Sequence, residues 1–214
     1  MTQRSYDSGA VYFVGWAQGY RQNHAVGGRY DSVEADNKKV VRLCERKSDP
    51  YRAQTMALVN KFARDPSRDL ELEVCERFAD SRSWITRNVL AAQPPDSIIL
   101  MDRWYPSDAA FRRLMPFADI LELNIDRQVQ VPDLHVGVVT AAQISWARAA
   151  ARRRGLSSTV MYRLDEQVAC TEAFERAVVG QGWALCRNEG TVEEAVRWVV
   201  SQIDNTDSRE SRSC

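Results

Sequence analysis

The sequence predicts an α/β fold, a mostly parallel five-stranded sheet flanked by helices in a three-layer αβα arrangement. Three observations predict it. Apolar runs of strand length alternate along the chain with longer segments of helical period, the pattern of a right-handedly wound α/β sheet. Several runs are continuously apolar rather than alternating, as strands covered on both faces are. The sharpest, Ser97-Ile-Ile-Leu-Met101, lies between Pro94-Pro95 and Pro106 and ends abruptly in Asp102-Arg103-Trp104. In parallel sheets ligands sit beyond the carboxyl ends of the strands, so an acid and a base stand where chemistry would be.

Ala10-Val-Tyr-Phe-Val14 reads as the first strand. Gly15 to Gly28 has loop composition and no clear period, and residues 29–50 are polar and charged with only weak helical spacing. Met56 to Ala63 fits either a second strand or a short helix, ending at Arg64-Asp65-Pro66. A helix follows from Ser67, with Leu70, Val74, Phe78, Ile85 and Val89 recurring as a core-facing stripe. The strand at 97–101 comes next, then a helix over 107–123 with Phe111, Leu114 and Phe117 on one side. Pro132-Asp133 opens the strand Leu134–Val139. An alanine-rich helix starts at Thr140 or Ala141 and ends at Arg152-Arg153-Arg154-Gly155, where cations suit the helix dipole and glycine the left-handed cap. A helix is expected over 165–179 and a last strand at Trp183–Cys186. Thr191-Val-Glu-Glu194 is a capping box opening a helix that buries Val192, Ala195, Val196, Val199, Val200 and Ile203. Residues 1–203 form one domain, and the polar tail 204–214 is expected to be disordered.

Composition narrows the function classes. Lys+Arg and Asp+Glu balance at 29 each, which argues against a polymeric nucleic-acid coat or a polybasic membrane surface. No apolar run reaches membrane-spanning length, and the polar start, Met1 to Ser8, lacks the apolar stretch of a signal peptide. Five cysteines, Cys44, Cys75, Cys170, Cys186 and Cys214, lack CxxC spacing, and only His24 and His135 could join them. A zinc site is therefore not expected, and reduced thiols in the cytoplasm are the simplest reading.

At the strand end, Asp102 can hold a metal ion or its water, and the guanidinium of Arg103 can fork onto a phosphate. A strand-end ion pair without chemistry is the bland alternative.

Several segments together resemble one family. Arg64-Asp65-Pro66, Phe78-Ala79-Asp80-Ser81-Arg82, Asp102-Arg103-Trp104, Pro132-Asp133-Leu134, the basic run Arg152–Arg154 and Gly190-Thr-Val-Glu-Glu194 follow, in order and spacing over roughly 56–203, the motifs of the thymidylate kinases. The departures are Asp65 for Glu, Ser81 for Ala and Trp104 for Tyr. The resemblance implies a P-loop kinase-like fold and transfer of the ATP γ-phosphate, with magnesium, to a nucleoside monophosphate such as dTMP. Deoxynucleoside kinases place an acid and an arginine at a similar strand end, so a nucleoside acceptor stays open, as does a homodimer. By resemblance, Arg103 grips the acceptor phosphate and Asp102 acts on magnesium or its waters. Arg64, Phe78, Arg82 and Trp104 line the acceptor side, and Arg153, Arg154 or Arg163 close over the transferring phosphoryl group.

One part of that family is missing. Gly-x-x-x-x-Gly-Lys-Ser/Thr should follow the first strand, its backbone N–H groups cradling phosphates and its lysine reaching the outer ones. The chain has Gly15-Trp-Ala-Gln-Gly19-Tyr-Arg21-Gln-Asn-His24 instead, and no Gly-Lys-Thr anywhere. Gly15, Gly19 and Arg21 are what remains of an ATP loop, and a flat arginine fork does not replace the lysine. The genetic code offers a reason. Read one base later, codons permitted for Trp16 onward encode Gly-Pro-Arg-Asp-Ile-Gly-Lys-Thr-Thr-Gln. Residues 16–48 are therefore read as a shifted frame between two compensating changes. As written, the chain is expected to be a kinase of doubtful activity, or a non-catalytic nucleotide- or partner-binding protein.

Overall fold

The computed structural model describes residues 11–16, 40–95, 97–112, 114–150 and 163–210, with 11–16, 149–150 and 207–210 described by their backbone alone. Its strands are β1 (Val11–Trp16), β2 (Val40–Cys44), β3 (Ile98–Asp102), β4 (Leu134–Val139) and β5 (Ala184–Arg187). Neighbours are parallel, in the order β2-β3-β1-β4-β5.

The expected fold, a five-stranded sheet flanked by helices, is corrected in proportion and in make-up. The described residues are mostly helical. The strands with described side chains amount to two short two-stranded parallel pairs, β2 with β3 and β4 with β5, and between them only the backbone of β1 is described. The second strand is also not where Met56–Ala63 offered one. That segment lies inside α2 (Arg52–Arg64). The strand comes instead from residues 29–50, which showed only weak helical spacing. Val40-Val41-Arg42-Leu43-Cys44 is a short edge strand with Arg42 exposed, and the lysines before it and Glu45-Arg46-Lys47 after it dilute its apolar signal.

Two further boundaries change. The single helix expected over 107–123 is a 3-10 turn (Tyr105–Ser107), α4 (Asp108–Phe111) and, after a break, α5 (Phe117–Asp126). Pro116 precedes α5, a position where the missing N–H costs nothing but through which a helix does not continue. Of the tail expected to be disordered, residues 204–210 belong to α8 (Val192–Glu210), with Ile203 buried and Thr206 Oγ1 donating to the Gln202 carbonyl at 3.0 Å, and residues 211–214 lie outside the described residues.

The other helices start as their residues dictate. Ser67 caps α3 (Arg68–Ile85), its Oγ accepting from the Leu70 N–H at 3.3 Å, with Asp69 and Glu71 in the first turn. A π turn, Thr86–Leu90, extends it. The capping box of α8 is present in both directions: the Thr191 N–H donates to Glu194 Oε2 at 2.8 Å, and the Glu194 N–H to Thr191 Oγ1 at 3.2 Å. The alanine-rich segment gives α6 (Ala142–Ala150), and α7 spans Leu164–Gly180.

Side chains of β3 alternate between two cores, as a period of two requires. Ile98 and Leu100 pack with Val136, Val138 and Cys186 against Ala195, Val199 and Ile203 of α8. Ile99 and Met101 face Ile85, Leu90, Trp104 and Tyr105. Gly137 of β4 lets α7 come close, because a Cβ there would strike Val178 Cγ2. Among the described residues no helix is long and apolar enough to cross a membrane.

Candidate functional site

The site lies beyond the carboxyl ends of β2 and β3, which stand in register with Cys44 opposite Asp102. The chain leaves β3 through Arg103, whose φ of 65° is left-handed. A non-glycine residue held there is uncommon and worth a functional question. Its guanidinium carbon stands 5.8 Å from the centre of the Phe111 ring.

Asp102 is only partly exposed, and its Oδ1 is buried with no hydrogen-bond partner among the described residues. Burial raises its carboxyl above the usual range, while the Arg103 charge, a hydrogen bond with the Cys44 side chain and the Lys47 charge pull it back. Two more buried polar atoms on the same segment lack hydrogen-bond partners among the described residues, Ser107 Oγ and Arg112 Nε. A carboxylate oxygen, a hydroxyl and a guanidinium N–H thus have unmet capacity between β3 and the end of α4. Buried polar groups are rarely left so.

Around them is a buried charge cluster. Glu45, in the turn α1 (Glu45–Ser48), accepts from Arg82 Nε at 2.8 Å, and Arg82 Nη1 donates to Asp108 Oδ2 at 2.6 Å and to Asn124 Oδ1 at 3.4 Å. Arg112 Nε stands 4.0 Å from Asp108 Oδ1. The guanidinium carbons of Arg82 and Arg112 each lie 5.3 Å from the Phe78 ring centre. Burial by itself would lower the Arg82 pKa, but Asp108 and Glu45 outweigh it and raise it, so the cation is fixed. Burial raises Glu45 despite Arg82. Asp49 anchors the next segment, accepting from Ser81 Oγ at 2.6 Å and from the Tyr51 N–H at 2.8 Å. Arg52 is half-buried, and its pKa is lowered first by that burial and then by the charge of Arg46, with Arg103 a smaller contributor.

The residues singled out by sequence are dispersed. Asp102 and Arg103 share the strand end. Phe78 and Arg82 lie beside it on α3, but Arg82 is 1 % exposed and committed to Glu45 and Asp108, so it is not free to reach an acceptor base. Trp104 is also 1 % exposed and donates its indole N–H to the Gln130 carbonyl at 2.9 Å; it is a core residue. Arg64 is exposed at the end of α2, with Nε on the Asn60 carbonyl at 3.2 Å. Arg163 is exposed and paired with Asp165 at 2.9 Å. Gly15 lies in β1, opposite Gly137. Gly19, Arg21, Arg153 and Arg154 lie outside the described residues.

Sequence reasoning missed Glu45, Arg52, Asp108 and Arg112. The i,i+4 spacing of Asp108 and Arg112 was a usable signal; Glu45 sat in a segment with only weak helical spacing, and Arg52 just beyond it, before the run that starts at Met56. No family model matches the chain, and no curated protein matches it in sequence.

Proposed function

We propose that this protein binds a nucleoside monophosphate beyond β2 and β3 and belongs functionally with nucleotide kinases of the thymidylate kinase type. The observation that carries the reading is the set of buried polar atoms on one segment without a hydrogen-bond partner among the described residues, Asp102 Oδ1, Ser107 Oγ and Arg112 Nε, the last with only a long ion-pair contact to Asp108. Arg103 follows the first of them on its left-handed backbone. A phosphate offers acceptors to both arginines, and a guanidinium fork suits it.

The residues also fit magnesium. Among the described residues no three metal-ligating side chains cluster, but magnesium is commonly held by one or two carboxylates, waters and substrate phosphates. Asp102 would be that carboxylate, with Oδ1 uncommitted. When bound, the ion would neutralise charge on the transferring phosphoryl group. Arg103 would grip the acceptor phosphate. Arg82, held by Glu45 and Asp108, would position Phe78 and the start of α4 rather than touch the substrate. Arg52 would add positive potential at the mouth.

The donor side is a different matter. The sequence lacks Gly-Lys-Ser/Thr after the first strand, and this favours monophosphate binding with little turnover in the chain as written. Isothermal titration with a panel of nucleoside monophosphates tests the reading. Saturable binding is expected, and Arg103→Ala should weaken it at least about tenfold, because one lost charge-assisted hydrogen bond is worth roughly 1.5–3 kcal/mol. Equal affinity in a folded Arg103→Ala variant would remove Arg103 from the site.

A further inference from the structure

α3 presents a second surface. Arg82 points inward to Glu45 and Asp108, whereas Arg77, Asp80, Trp84 and, in the π turn, Arg87 line a recess of about 520 Å³. That volume lies within the span of small-molecule sites. The end of α5 supplies one wall and Tyr51 another. The α5 wall is clamped: Arg127 Nε donates to Asp80 Oδ1 at 2.7 Å, and the Arg127 carbonyl accepts from Ser83 Oγ at 2.6 Å.

The clamp uses up one cation and one carboxylate, and what remains is unevenly charged. Arg77 and Arg87 have no ion-pair partner among the described residues. Arg77 lies with its guanidinium carbon 5.8 Å from the Tyr51 ring centre, and Arg87 spends only its Nε, on the Ser83 carbonyl at 3.3 Å. One carboxylate, Asp126, remains on the lining. Two half-buried aromatic residues, Tyr51 and Trp84, line the same recess. Guanidinium groups both stack on aromatic planes and fork onto oxyanions.

We propose that this recess is a second binding site, separate from the candidate site beyond β2 and β3, for a planar aromatic oxyanion. The ring packs on Tyr51 and Trp84, and the oxyanion reaches Arg87 or Arg77. It depends on none of the residues assigned to the monophosphate, so either site can fail alone.

The probe is 1-naphthyl phosphate, titrated into the full chain by calorimetry and by tryptophan fluorescence, with inorganic phosphate as the ring-free control. Saturable binding is expected, weaker by at least about tenfold in Arg77→Ala/Arg87→Ala, unchanged in Arg103→Ala, and much weaker for inorganic phosphate. Trp84→Phe should remove most of the fluorescence response while keeping calorimetric binding. Arg87 is exposed and Arg77 half-buried, both outside the buried charge cluster, and circular dichroism verifies that the double variant is folded. The proposal is overturned by absence of saturable binding, by equal affinity in the folded double variant, or by loss of binding in Arg103→Ala alone, which would place the probe at the strand end.

Discussion

Burial raises the Asp102 carboxyl above its ordinary range, and the positive charge of Arg103 offsets only part of that. An acid whose folded-state pKa lies above its unfolded value adds stability below the unfolded pKa and loses that contribution as pH rises through the folded one. At neutral pH the ionised Asp102 therefore weighs against the fold, which is tolerable if an ion or ligand meets it there. Asp102→Asn should accordingly melt no lower than the parent at pH 7, while any magnesium dependence of monophosphate binding disappears. In the parent, that dependence should fade on acidification at a higher pH than for an ordinary carboxylate. Melting curves from pH 4 to 8 with parallel magnesium titrations measure both. A variant that is destabilised across the range would make Asp102 a structural residue instead.

Among the elements, α3 joins the parts of the site, because Arg82 ties it to α1 and α4 in one buried charge cluster. Removing one member of such a cluster leaves uncompensated charge and costs about 3–5 kcal/mol, whereas replacing all of it by neutral groups can be close to neutral. Arg82→Ala is expected to cost that much in denaturant unfolding. Glu45→Gln/Arg82→Met/Asp108→Asn should cost clearly less despite its three changes. If the triple variant is the less stable of the two, the cluster is worth more than its desolvation and the account given for it is wrong. The same element carries the second recess on its other side, so Arg82→Ala would also disturb that surface through Tyr51 and Asp49, which Ser81 holds at 2.6 Å.

Taken as a whole the molecule is asymmetric. Asp102 and Arg103 stand at the end of β3, with Ser107 and Arg112 on the segment that follows, while after β1 the sequence has Trp16, Tyr20 and Arg21 where small residues would let a backbone cradle phosphates, and it lacks the lysine. Replacing residues 16–25 with Gly-Pro-Arg-Asp-Ile-Gly-Lys-Thr-Thr-Gln should create tight ATP binding and monophosphate-dependent ADP release. Calorimetry with magnesium-ATP before and after the exchange is the measurement. Tight ATP binding by the unaltered chain would defeat the expectation, since the donor site would then be built from other residues. The coding DNA gives an independent answer: without a one-base offset that encodes Gly-Lys-Thr, the shifted-frame reading falls. β2 and Glu45, which lie inside residues 16–48, take part in strand pairing and in the charge cluster, so any shift is expected to end before Val40.

By itself the sequence determined the elements whose signal is local. Ile98–Met101 is a continuous apolar run, Leu134–Val139 is a mostly apolar one opened by Pro132-Asp133, Ser67 and Thr191 are caps whose partners sit three residues on, and Asp102-Arg103 ends a strand abruptly enough to mark a candidate site. Tertiary structure decided what depends on residues distant in the chain. Val40–Cys44 is a strand because β3 pairs with it, not because its own short, charged-flanked pattern requires one. Arg82 and Trp104 look like binding residues in a linear motif, yet Glu45 and Asp108 claim the first and the Gln130 carbonyl the second. Arg112 is a candidate because its buried Nε has no hydrogen-bond partner among the described residues. A charge or a ring in a sequence carries no record of which partner will satisfy it; burial and long-range contacts settle that, since an unpaired buried group is too costly to leave to chance.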